Sequence, residues 1–332
     1  MKLTASQLAE IPYLDTEAVA GRSLLLMPLW DGERWNQWIE GPDGKMIRLQ
    51  MVDAALSHYL AKKSARPDDL HIPFFDLAWQ RANYPSVSRA VLGISHDFHM
   101  IATCAAKLRH YYETRDRIDN VLLRSFVQSE LEYLITVSRS IYDLLQETIA
   151  RLWNGHAKLN DESSERKRKR NPLPETFRRV VVANDSTRTS EAIAEKYALP
   201  RGVAEQYINY APFFLTLRSA RDAIVHGGKS VDMIFSTEKG FCVDPKIKPF
   251  SDFNWTEVHQ YNENIVSLYP WVAHVAMHAL GACTELLGTL AASIQLPREV
   301  APGYRVFLRD PSNPALAELV EVSEGKRIWW SN

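Results

Sequence analysis

Apolar residues recur at alternating three- and four-residue spacings through Val87, Val91, Ile94, Phe98, Ile101, Ala105, Leu108 and Tyr112. That is the period of one face of an α-helix, and it predicts a helix opening near Pro85, a favourable first-turn residue. A second face, Leu123, Val127, Leu134, Val137, Ile141, Leu145 and Ile149, predicts a helix from about Asp119 to Trp153. Only a short break around Arg115 to Ile118 separates the two, so they should be antiparallel neighbours. A third helix opens at Pro200 and carries Val203, Tyr207, Tyr210, Phe214, Leu217 and Ile224 in one narrow stripe. It should stop at Gly227-Gly228, because glycine tolerates the left-handed conformation at a helix end. A fourth seam, Ile265, Leu268, Val272, Val275, Ala279, Cys283, Leu286 and Leu290, spans about Thr256 to Ile294, and Pro270 should kink that helix or mark its true start.

The remaining stretches are weaker. Residues 1–84 read as an irregular N-terminal extension packed on the main body. Trp35 and Trp38 precede the turn signal Gly41-Pro42-Asp43-Gly44, and a helix is expected from Met51 to Lys62. The basic run Glu165 to Arg170 reads first as a solvated or disordered linker, with phosphate contact or a nuclear localisation signal as alternatives. Ser190 to Tyr197 reads as a short helix. Residues 231–236 and 241–244 flank Thr237-Glu238-Lys239-Gly240, the pattern of a small β-hairpin. Residues 297–332 form a tail, too short for a domain, that should pack on the helices. The expected architecture is all-α: a four-helix bundle over 85–296 with a small hairpin insertion.

Composition narrows the function. The 332 residues carry a formal net charge of -1, so nucleic-acid binding would need a local basic patch rather than bulk attraction. Cys104, Cys242 and Cys283 form no CxxC pair, which argues against a zinc ribbon or a disulfide framework and suits a reducing, cytoplasmic setting. The opening residues lack the apolar run of a signal peptide, and no apolar stretch reads as long enough to span a membrane. Gly227-Gly228-Lys229-Ser230 imitates the end of a phosphate-binding loop, but Ala223 stands where the first glycine is required and a helix precedes it. His274 and His278 are four apart but lack the glutamate of an H-E-x-x-H motif. They read as surface or interface histidines, with no metal and no cofactor expected.

The chemistry that stands out closes the third helix. Arg221 falls in the middle of its apolar stripe, where a charge is costly unless paired or facing a wet cavity. Asp222 and His226, four apart, share a neighbouring face. The string Arg221-Asp222-Ala223-Ile224-Val225-His226 resembles the R-x4-6-H motif of the HEPN (higher eukaryotes and prokaryotes nucleotide-binding) superfamily, whose fold is a helical bundle with this motif near the end of a late helix. The resemblance covers roughly Pro85 to Ile294, by helix order as well as motif.

It implies a metal-independent endoribonuclease. Histidine titrates near neutral pH and can take the proton from a ribose 2′-hydroxyl or return one to the leaving 5′-oxygen. Arginine grips phosphate oxygens in a fork and stabilises the charge building there. His226 would be the acid–base, Arg221 the cation and Asp222 the orienting carboxylate. Arg218 and Lys229 flank the motif and could extend a phosphate-binding patch; Arg139 and Asp143, one turn apart on the second helix, could line the cleft. Each of these four also reads as an ordinary surface charge. One motif supplies one histidine, whereas the reaction wants two proton-transfer groups, so the site should be completed across a two-fold homodimer of the motif helix. The resemblance further implies a toxin or antiviral-defence effector acting on tRNA or other cellular RNA and held silent by an antitoxin or regulatory protein. The competing reading is a non-catalytic helical module that binds protein or nucleic acid.

Overall fold

The four periodic stretches fold as helices, and a sheet that the periodicity did not announce closes one end of them. The computed structural model describes residues 4–158, 161–227, 231 and 233–331. In chain order the elements are α1 (Ala5–Leu8), β1 (Leu29–Trp30), β2 (Trp35–Glu40), β3 (Met46–Met51), β4 (Ser57–Ala61), β5 (Leu70–His71), α2 (Pro73–Arg81), α3 (Ser88–Thr114), α4 (Asn120–Gly155), α5 (Glu162–Arg170), α6 (Phe177–Val181), β6 (Val182–Ala183), β7 (Ser186–Thr187), α7 (Ser190–Tyr197), α8 (Arg201–Gly227), β8 (Phe235–Ser236), β9 (Phe241–Val243), β10 (Val266–Ser267), α9 (Tyr269–Ser293), β11 (Arg305–Arg309) and α10 (Asn313–Ser323).

The all-α expectation is overturned. The chain is about 52% helical, yet it also holds a six-stranded mixed sheet and two smaller ones, so the fold is mixed α/β. Strand order in the large sheet is β3-β2-β1-β4-β11-β5, with β1 and β4 parallel and the other pairs antiparallel. β4 stands where a helix was expected over Met51 to Lys62, and its partner β11 comes from the far end of the chain, with Val306 opposite Leu60. Residues read as a separate extension and tail thus share one sheet. Strands of two to six residues give local periodicity little to register, and a partner that distant gives it nothing.

The strands obey the two-residue alternation of a pleated sheet. Leu60, Val306 and Leu308 point inward and join the core shared with the helices. Tyr59, Ala61 and Phe307 point the other way and form a small second cluster with Trp35 and Ala54. On that outer face Arg309 is buried: its Nε and Nη2 donate to the Asp69 carboxylate at 2.8 and 2.6 Å, and its Nη1 donates to Asp53 at 2.8 Å. The guanidinium also lies over the rings of Trp35 and Tyr59.

In the bundle, Asp119 caps α4 by accepting hydrogen bonds from the Val121 and Leu122 amides. α3 packs on α4, and α8 and α9 complete the group, with α10 against α3 and α9. Tyr142, Phe177, Tyr207 and Phe214 form an aromatic centre between α4, α6 and α8, and the Tyr207 hydroxyl donates to the fully buried Gln146 at 2.6 Å. α9 begins at Tyr269, so Pro270 marks the start of that helix rather than a kink within it. Contrary to the sequence reading, α9 is long and apolar enough, by length and composition, to cross a bilayer. Here Val272, Val275, Ala279, Leu286 and Leu290 are buried in the bundle. The basic run is no loose linker either: it forms α5, and Arg168 is buried, donating to the Ala157 carbonyl at 2.8 Å and to Glu165 at 2.6 Å.

The hairpin forms, with Phe235 opposite Cys242, and Gly240 turns it at a φ of 152°. A Cβ there would stand 2.6 Å from the ring of buried Trp330. Gly240→Ala is therefore expected to cost about 2 kcal/mol, combining a disfavoured φ with overpacking. Chemical denaturation should register the loss, and an unchanged midpoint would show that the turn relaxes freely.

Candidate functional site

The apolar stripe of α8 is buried from Val203 through Tyr207, Phe214 and Leu217. It then leaves the core. Ala220 and Ile224 are only partly covered, Val225 is 51% exposed and His226 is exposed. Arg221 sits at this margin with its side chain 35% exposed, so the burial cost expected for a charge in an apolar seam is largely avoided.

Its nearest partner is its neighbour. Arg221 Nη1 donates to Asp222 Oδ1 at 3.2 Å, and Arg218 Nε lies 3.6 Å from Asp222 Oδ2. Asp222 thus bridges two arginines, and the structure pairs it with them rather than with His226. Ion pairs this exposed add little to stability, and their effect is to hold two guanidinium groups on one end of α8. Arg218, Arg221 and Asp222 are brought together; His226 lies one turn further on. Lys229 and Gly228 fall outside the described residues.

Arg139 and Asp143 form the expected ion pair on α4. The guanidinium of Arg139 lies 5.9 Å from the centre of the Phe214 ring, and Asp143 accepts the Phe177 amide at 3.4 Å. The pair is therefore built into the α4–α6–α8 junction. Phe214 precedes Arg221 by seven residues, about 10 Å along the helix, which sets Arg139 beside the motif helix but below the motif. The α4 residue nearer the end of the motif is Glu132, which accepts the Val231 amide at 3.4 Å. No sequence signal marked it, because a lone glutamate on a long helix looks like any solvated charge.

Comparison with protein-family models, with curated proteins and with solved structures finds no match for this chain. The likeness to HEPN proteins rests on the motif and its place at the end of a bundle helix.

A second constellation lies between α8 and α9. His274 and His278 do not sit on open surface; with His259, Tyr210, Phe253 and Glu285 they line a cavity of about 360 Å³. His278 stacks on Phe213 with ring centres 4.3 Å apart, and the two histidine rings meet edge to face at 4.6 Å. Desolvation and the neighbouring His278 push His274 down to about 4, and desolvation also lowers His278 and His259. Burial, and after it the charge of the nearby Glu285 carboxylate, raise the Tyr210 hydroxyl. Among the described residues no group of three or more His, Cys, Asp or Glu is placed to hold a metal ion. A sequence signal for this site did exist: His274, His278, Gly281 and Glu285 follow spacings of four, three and four along an otherwise apolar helix.

Another histidine is held neutral where sheet meets bundle. Burial pushes His58 down to about 4 against the opposing pull of Asp310, which itself pairs with His99. Unfolded histidine takes its proton near 6.5, so between about pH 6.5 and 4 the unfolded chain binds more protons and stability falls as pH drops. His58 and His274 should each contribute about 1 kcal/mol per pH unit across that window. Asp97, raised by burial, acts in the opposite direction. The melting temperature is expected to hold above pH 7 and decline from pH 6 to 5; a flat profile would contradict it.

Proposed function

We propose that this protein is a metal-independent endoribonuclease of HEPN type, working as a toxin or defence effector on tRNA or other cellular RNA. The observation that carries the reading is the end of α8, where Arg221 and exposed His226 leave the core on the last turns of a bundle helix. A phosphate there would find Arg221 and Arg218 side by side, both positioned by Asp222. His226 would move the proton of the 2′-hydroxyl or of the leaving oxygen.

One copy offers one histidine. Exposed Val225 and half-covered Ile224 stand between Arg221 and His226, the kind of apolar contact through which a second α8 could dock and bring its own pair. The test is incubation of wild type and His226→Ala with mixed RNA in EDTA. Cleavage by the wild type alone supports the reading; equal cleavage by both, or none by either, ends it.

One observation favours a second reading, a non-catalytic binding module. Asp222 is engaged by arginines and not by His226, as a purely structural ion network would have it. On that reading Arg221→Ala alters partner affinity and there is no activity to lose.

A further inference from the structure

The cavity between α8 and α9 has the chemistry of a selective site. Its acceptor is Glu285, an acceptor-only carboxylate on the same wall as the Tyr210 hydroxyl, with lone pairs to spare. Its donor is His259. The Thr256 amide donates to His259 Nδ1 at 3.2 Å, which leaves the proton of the neutral ring on Nε2. Among the described residues His278 Nδ1 is buried with no hydrogen-bond partner, so none of them dictates its tautomer and the ring can serve as donor or acceptor. The walls are planar: Phe253 meets His274 edge to face at 5.1 Å, and Tyr210 meets His278 at 5.6 Å.

These features exclude as well as select. Among the described residues no lysine or arginine lines the cavity, so it is not built for a phosphate or another anion. With its proton on Nε2, His259 cannot give that nitrogen to a metal. Among the described residues Glu285 is the single acidic side chain on the wall and it is exposed to water, which gives a cation little hold. What remains is a neutral, flat heterocycle that presents adjacent N–H donors to a carboxylate and acceptors to an imidazole N–H.

We propose that this cavity is a nucleobase site selective for guanine, whose N1–H and N2–H face Glu285 while its O6 and N7 face the imidazole N–H of His259 or His278. Uracil sets two carbonyls beside its single N–H and would point an oxygen at the carboxylate. Adenine offers the carboxylate only its N6 amine. Aromatic and imidazole faces stack an unpaired base in the manner common to single-strand recognition. Tyr210 and Arg221 are eleven residues apart, which places them within about 20° on the wheel of α8 and about 16 Å apart along it. The cavity and the motif therefore share a side of one helix. As a subsite for a base within RNA the proposal rests on the ribonuclease reading; as a site for free guanosine it stands without it.

The test is calorimetric titration with guanosine, adenosine and uridine, alongside anisotropy of single-stranded uridine octamers with and without one guanosine, using the His226→Ala protein so that RNA survives. Guanosine should bind at least tenfold more tightly than uridine. Glu285→Gln, at an exposed position where folding is not at risk, should remove that preference, and His278→Phe should weaken guanosine while keeping the stack. Preference for the guanosine-bearing octamer supports the site as an RNA subsite. Guanosine binding without RNA preference supports the base site and refutes its role in RNA binding. Equal or absent binding of guanosine and uridine to wild type, or a Glu285→Gln protein with unchanged preference, overturns the proposal. Failure of the wild type to cleave RNA while guanosine still binds strikes only the ribonuclease reading.

Discussion

Arg309→Met is expected to lower the unfolding free energy by about 3–5 kcal/mol, the usual cost of stripping one partner from a buried ion pair. The side chain of Arg309 is 4% exposed and that of Asp69 is 1% exposed. The two-pronged contact at 2.8 and 2.6 Å satisfies both carboxylate oxygens. Once the guanidinium is gone, Asp69 keeps, among the described residues, the Tyr59 hydroxyl and the Arg66 amide, too little to offset a buried charge. Methionine fills most of the volume against Trp35 and Tyr59, so the loss would be electrostatic rather than a cavity effect. Urea denaturation reads it as a lower midpoint at similar slope. Adding Asp69→Asn to Arg309→Met should recover part of the loss, since no charge is then stranded. A single variant that loses under about 1 kcal/mol would mean that water reaches Asp69.

The other large effect is expected in catalysis. His226→Ala should reduce RNA cleavage about 10²–10⁴-fold, the range for one positioned acid–base group. Because His226 is exposed at the end of α8, the variant should melt within about 1 kcal/mol of wild type, which separates lost chemistry from lost fold. Arg221→Lys keeps the charge but not the fork, and should be impaired as well. If the site joins two copies and uses both histidines, adding excess His226→Ala protein to wild type should poison cleavage, because each mixed dimer holds one histidine. Undiminished wild-type cleavage in the mixture, together with a monomer in solution, would exclude the shared site.

The long helices were legible because their faces repeat over six or more turns, as from Val87 to Tyr112. The sheet was not. Trp35 and Trp38 are both buried, but on opposite faces of β2 and in different clusters, which reads as scatter until the strand is known. β3 was hidden for another reason: Ile47 and Leu49 are apolar yet exposed, so its pattern marks no inner face. At the motif, counting at 100° per residue put Arg221 in line with the apolar stripe. It could not show that the stripe outruns the core after Leu217, which depends on where neighbouring helices end. The histidines of α9 failed differently. They were judged against the apolar seam alone, and the opposite face proved to be roofed by Phe253 and by His259, the latter from a segment read as part of the helix itself.

The pairing of β4 with β11 also orders events during synthesis. β4 leaves the ribosome before every long helix of the bundle, and β11, which completes its hydrogen bonds, follows them. Leu60 and its inward-facing neighbours must wait through translation of the whole bundle before Val306 and Leu308 cover them. Pairings so far apart along the chain form slowly and leave sticky intermediates, so the newborn protein should depend on chaperones until β11 arrives. A ribosome stalled before Arg305 would therefore carry formed helices beside an unfinished sheet.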